Sequence, residues 1–222
     1  MLTLAQSADA LLRGVPADTR PLVRRRTLLA LLVSCGAIYG AVMGSYGGFA
    51  GDRAPQVLIS ASKVPLLLLA TFALALPSFF VLNTLLGVRG DFDAVVRALV
   101  GAQAALTIVL AALAPYTVFW YVSFTGYQPA ILFNGVMFAV ASLAGQWQLR
   151  RAYRPLIARN RRHRVLLRSW LVLYVFVGIQ MAWVLRPFIG DPGSPAQFFR
   201  AGAWGNAYVV VARLVWDVLA RP

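Results

Sequence analysis

The chain has no glutamate, one lysine (Lys63), one histidine (His163) and one cysteine (Cys35). Each scarcity removes a class of function. A single cysteine rules out a disulfide framework within the chain. One histidine and one cysteine, far apart in sequence, exclude a local zinc motif. The carboxylates are all aspartates: Asp9, Asp18, Asp52, Asp91, Asp93, Asp191 and Asp217. Only Asp217 falls in an apolar run, whereas proton-driven pumps place carboxylates inside their spans. General acid–base catalysis needs a titratable group held in a pocket, and the apolar runs offer almost none. No G-x-S-x-G, P-loop or dinucleotide fingerprint is present. The sequence therefore names no catalytic, cofactor-binding or metal-ligating residue, and an enzyme ranks behind two non-enzymatic readings. His163 stands among arginines and reads as solvated surface.

What the chain does have is apolar surface and arginine. Of its 222 residues, 60% are hydrophobic; the formal net charge is +14 and the mean hydropathy +0.71. That apolar share exceeds the soluble-domain norm and favours a membrane protein. The arginines cluster beside the apolar runs, which suits anionic lipid headgroups better than nucleic acid.

Six apolar runs read as the spans of one all-α bundle, at 27–50, 64–87, 98–121, 130–149, 169–187 and 207–220. The sixth is short and holds Arg213 and Asp217; if it lies at the interface instead, five spans remain. Residues 27–222 form a single transmembrane domain, preceded by a cytoplasmic segment, 1–26. In that segment Leu4, Ala8, Leu11 and Leu12 share a helical face opposite Gln6 and Asp9, which suits an interfacial helix as well as a frayed polar end. Arg20, Arg24, Arg25 and Arg26 make a basic collar before the first span, which fits an uncleaved anchor better than a signal peptide. Val57–Ser62, broken by Ser60 and Ser62, reads as interfacial. Pro65 is placed in the first turn of the second span, where a proline is tolerated, and Pro77 inside it.

Arginine also sets the orientation. The N-terminal collar, the turn carrying Arg89 and Arg97, and the linker 150–168 are basic, so the positive-inside rule puts them in the cytoplasm. The expected location is the bacterial inner membrane, multi-pass. Within the linker, Arg159, Arg161, Arg162 and Arg164 are the candidate lipid-headgroup contacts.

Gly36, Gly40, Gly44 and Gly48 recur at every fourth position in the first run, forming one winding stripe on a helix. Helices in lipid gain close approach from small residues, so this glycine zipper is the candidate packing seam. Ala98, Gly101, Ala105 and Ala112, and then Gly135, Ala139 and Ser142, form small faces on the third and fourth spans. Asn83, Gln103, Asn134 and Gln180 are the polar residues within the spans. They read as helix-to-helix hydrogen bonds worth roughly 1 kcal/mol each at best, or as the lining of a solute path.

The stretch Gln180-Met181-Ala182-Trp183-Val184-Leu185-Arg186-Pro187-Phe188-Ile189-Gly190, followed by Phe198-Phe199-Arg200, resembles a bacterial family of small polytopic membrane proteins that share Gln-Met-x-Trp-x-Leu-Arg-Pro-Phe. The stretch from Lys63-Val64-Pro65 through Pro77-Ser78 to Asn83 is similar to the same family. More distantly, Leu86-Gly87 and Val95 to Gln103 are similar to the Yip1-like membrane superfamily. The resemblance implies a polytopic membrane fold and brings no biochemical activity with it. The residues suggest an outer cap of Trp183, Arg186, Pro187 and Asp191, with Arg186 paired to Asp191 and Phe198-Phe199 folded over the bundle. An interfacial anchor, with Trp183 and Arg186 at headgroup depth, explains the same residues.

Together these features point to a non-enzymatic scaffold or accessory subunit without cofactor, packing with itself or with other membrane proteins among anionic lipids. The alternative is a channel or facilitator for a small solute or anion.

Overall fold

The computed structural model describes residues 4–13, 25–48, 53–124, 126–190, 195–200, 205–209 and 216. Six helices carry nearly all of them: α1 (Leu4–Arg13), α2 (Arg25–Gly44), α3 (Ala54–Leu85), α4 (Phe92–Ser123), α5 (Tyr127–Arg159) and α6 (Arg162–Leu185). No strand occurs among the described residues. Five of the helices, α2 to α6, are long and apolar enough to cross a membrane. The chain is an all-α, multi-pass membrane protein. Most of the sixth expected span lies outside the described residues, Arg213 and Asp217 included.

α3 to α6 run past the expected spans at one end or both, whereas α2 stops at Gly44, short of the expected 50. At 1.5 Å per residue, the 32 residues of α3 extend about 48 Å, against roughly 30 Å of hydrocarbon. Val57–Ser62 are early turns of α3. Pro55 takes the position at the helix start, and Pro65 lies inside together with Pro77. The arginine linker is likewise helical. α5 continues to Arg159 and α6 resumes at Arg162, so only Asn160 and Arg161 break the run.

α2 packs between α3 and α4; α5 lies on the far side of α4, and α6 on the far side of α3. α5 and α6 also touch each other, more lightly. Residues 99–107 of α4 are buried without interruption, and small Gly101, Ala102, Ala104 and Ala105 let neighbouring helices close on them. Three apolar clusters fill the bundle. One joins α3, α4, α5 and α6 around Phe79, Leu99, Tyr153 and Trp170. A second joins α2 to α5 around Tyr39, Val64, Leu110 and Ala141, with Ile189. The third seats α1 through Leu11 on Leu28, Leu31 and Ala104. In α1 the buried stripe is Ser7 and Leu11, while Leu4 and Leu12 are exposed.

The glycine stripe divides. A Cβ at Gly40 would lie 2.9 Å from the Ala61 Cα, and one at Gly44 2.8 Å from the Gln56 carbonyl oxygen and the Val57 Cα. Those two positions let α2 press on the α3 backbone. Gly36 has only ordinary contact room, 3.5 Å to Pro65 and Thr107. Gly48 is not part of the seam: α2 ends at Gly44, and Gly48 lies in the following turn at φ +123° with nothing within 4 Å. On α5 the buried small residues are Ala141 and Gly145, the latter 3.0 Å from the Ala102 carbonyl oxygen when given a Cβ. Gly135 and Ala139 face outward instead.

Candidate functional site

The first turns of α3 and the chain that follows α6 dock on each other. α6 ends at Leu185, and the chain turns away through a cis Arg186–Pro187 peptide. The next backbone carbonyls are taken one by one. Lys63 Nζ donates to the Pro187 carbonyl at 2.6 Å. Ser60 Oγ donates to that of Phe188 at 2.5 Å, and Tyr127 OH to that of Ile189 at 3.0 Å. Gln56 Nε2 donates to Ser60 Oγ at 3.0 Å, and Gly190 rests against the Gln56 side chain with no room for a Cβ.

The reason lies in helix geometry. Gln56, Ser60 and Lys63 are spaced four and three apart, so they share one face of α3. All three are buried. A chain leaving a helix carries carbonyls without intrahelical partners, and buried polar groups need hydrogen bonds. This α3 face, with Tyr127 of α5, supplies them. Lys63 also lies 5.0 Å from the centre of the Phe198 ring, a cation–π distance. The only lysine is thus spent inside the protein, not in a flanking basic patch.

Part of the expected cap falls among the described residues. The Arg186 guanidinium lies over the Trp183 ring, 3.3 Å from its centroid. The Arg186 carbonyl accepts a hydrogen bond from the Arg200 backbone N–H at 3.3 Å. Burial, and then the nearby Arg200, hold the Arg186 guanidinium below its ordinary pKa. The expected partner Asp191 lies outside the described residues. Phe198 does fold over the bundle, onto Lys63.

The four polar residues within the spans do not converge on one path. Asn134 joins three helices: its Oδ1 accepts from Tyr39 OH at 3.0 Å, and its Nδ2 donates to Tyr121 OH at 2.7 Å and to the Ala130 carbonyl at 2.8 Å. Asn83 donates to the Phe79 carbonyl of its own helix at 3.1 Å. Gln180 holds residues 205–207, donating to the Gly205 carbonyl at 3.1 Å and accepting from the Ala207 N–H at 3.0 Å. Gln103 is buried with both amide atoms unpartnered.

At the opposite end of the bundle His163 is fully buried, which corrects its reading as solvated surface. Its Nε2 lies 3.0 Å from Asp91 Oδ2, and its ring stands edge-on to Tyr153. Arg162 donates to the Leu86 carbonyl at 2.9 Å. The tip between α5 and α6 is thereby pinned to the turn between α3 and α4. That turn is a Schellman motif, with Val88 N–H on the Asn83 carbonyl and Gly87 at φ +70°. Asp93 receives Arg25 from α2 and Arg97 at 2.7 Å from its own helix. Arg159, Arg162 and Arg164 are exposed on helix ends, and Arg161 is exposed in the two-residue break between them.

No family model, curated protein or solved structure matches the chain. The site is read from its own geometry.

Sequence reasoning missed Gln56, Ser60 and Tyr127 as partners of the Pro187–Gly190 carbonyls, and missed the His163–Asp91 pair. One signal was present: a lone lysine opening a long apolar run is costly there without a partner.

Proposed function

We propose that the chain is an integral membrane scaffold or accessory subunit that packs through α5 against a second copy or another membrane protein. The supporting observation is the outward face of α5. Gly135 has nothing within 4 Å of where a Cβ would stand, and Ala139, four residues on, is exposed. The comparable approach at Gly40 and Gly44 is already filled by α3. Ser142 extends the small face by one turn. In lipid such a face gains from an apposed helix, because small residues let two backbones approach. The proposed setting is the bacterial inner membrane, with the arginine-rich helix ends in the cytoplasm and anionic lipids around them.

The test is to count copies per particle in liposomes by single-molecule photobleaching, with and without purified candidate partners. Gly135→Leu with Ala139→Leu should lower association while leaving the melting temperature unchanged. Unchanged association would remove the basis for this reading.

A second reading, a channel or facilitator for a small solute or anion, is favoured by one observation: the unpartnered Gln103 amide in the most buried part of α4. Flux of small anions from loaded liposomes separates the two. The scaffold reading expects no flux above empty vesicles.

A further inference from the structure

We propose that a groove along α6 is the seat of one anionic phospholipid, its phosphate on Arg168 and Ser169 and one acyl chain along Val172, Leu173 and Phe176. The groove holds about 450 Å³ and is lined by those five residues. Arg168 is exposed and makes no hydrogen bond or ion pair with any described residue, and Ser169 beside it makes none either. A free guanidinium and a free hydroxyl lining the same groove suit a phosphate, which accepts from both. Arg168, Val172 and Phe176 are four residues apart, so the cation heads a continuous stripe on one helix face. From Arg168 to Phe176 is eight residues, about 12 Å of helix. That is close to the roughly 15 Å depth of one leaflet's hydrocarbon, half of a 30 Å core. At the Phe176 end Tyr208 stacks on the Phe176 ring with centroids 4.7 Å apart and donates to the Phe176 carbonyl. Charge at one end and an open apolar face of leaflet depth beyond it together describe an amphiphile with an anionic head.

This deepens the lipid part of the proposed function and stands apart from its association claim. Arg168 belongs to α6 and Gly135 to α5, so the photobleaching counts can fail without touching it.

Native mass spectrometry of the intact chain in mild detergent, titrated with dioleoyl phosphatidylglycerol, measures the first-bound lipid. Arg168→Gln should weaken it about fivefold, the equivalent of roughly 1 kcal/mol for one arginine near the surface. Arg154→Gln, an exposed arginine of α5, should leave it unchanged. Arg168→Lys, which keeps the charge, should retain most of the affinity. Val172→Trp should abolish it by filling the groove while keeping every cation. Inorganic phosphate and dihexanoyl phosphatidylglycerol should fail to compete. Equal losses from Arg154→Gln and Arg168→Gln would overturn the site in favour of a diffuse basic surface. Displacement by inorganic phosphate would overturn it in favour of a plain anion contact. No effect of Arg168→Gln or Val172→Trp would overturn it outright.

Discussion

Lys63 Nζ and the Pro187 carbonyl oxygen, 124 residues apart in sequence, meet at 2.6 Å. The contact ties the first half of α3 to the chain leaving α6, and it uses the only lysine in the protein. Lys63→Met keeps the apolar stem and removes the donor. The part-buried Pro187 carbonyl then loses its partner, at a cost of about 1 kcal/mol or more. The expected outcome is a lower melting temperature in detergent. Ser60→Ala should lower it too, and the double variant should cost less than the sum, because both donors hold one segment. A melting temperature equal to wild type for Lys63→Met would mean that the contact adds nothing to stability.

How much of this was legible is clearest at α3. Hydropathy marks where apolar runs begin and end, and it located five crossing helices. It placed the start of the second span at Val64 because Gln56, Ser60, Ser62 and Lys63 are polar. Those residues are polar because three of them face a neighbouring backbone, and that neighbour is distant in sequence. The same blindness affected His163. Its sequence neighbours are arginines, but helical geometry turns the histidine inward while Arg161, Arg162 and Arg164 stay exposed. The glycine stripe showed the opposite error: a regular period ran past the end of the helix, so Gly48 was counted with residues it does not join.

Gly40 and Gly36 separate the seam from the pattern. Gly40→Ala puts a methyl group against the α3 backbone, which cannot yield as a flexible side chain would. The expected cost is roughly 1–3 kcal/mol, as for other overpacked positions. Gly36→Ala meets only ordinary contact distances and should melt near wild type. Thermal unfolding of the two variants in the same detergent checks this; equal losses would contradict the division of the stripe.

His163 pins two turns at the arginine-rich end. His163→Leu keeps the volume and removes the hydrogen bond to Asp91. Asp91 is partly exposed and can turn to water, so the expected loss is about 1 kcal/mol. The more specific readout is amide hydrogen exchange, which should quicken at Val88–Asp91 and at the start of α6 before it changes elsewhere. Unchanged protection there would show that Arg162 and the apolar contacts hold the turn alone.

Orientation is tested by thiol labelling in a Cys35→Ser background. Gly126→Cys, between α4 and α5, should react with an impermeant reagent from outside the cell. Ala158→Cys, near the end of α5, should react only after the membrane is opened. The reverse pattern would invert the proposed topology.

The most direct test of the central claim, that α5 presents a face to a neighbour, is oxidative cross-linking in native membranes. In the Cys35→Ser background, Gly135→Cys should give a cross-linked species of higher mass, either twice the chain or the chain plus a partner. Val172→Cys, in the α6 groove, should give none. A Gly135→Cys variant that stays monomeric, or that cross-links no more than Val172→Cys, would contradict the scaffold account.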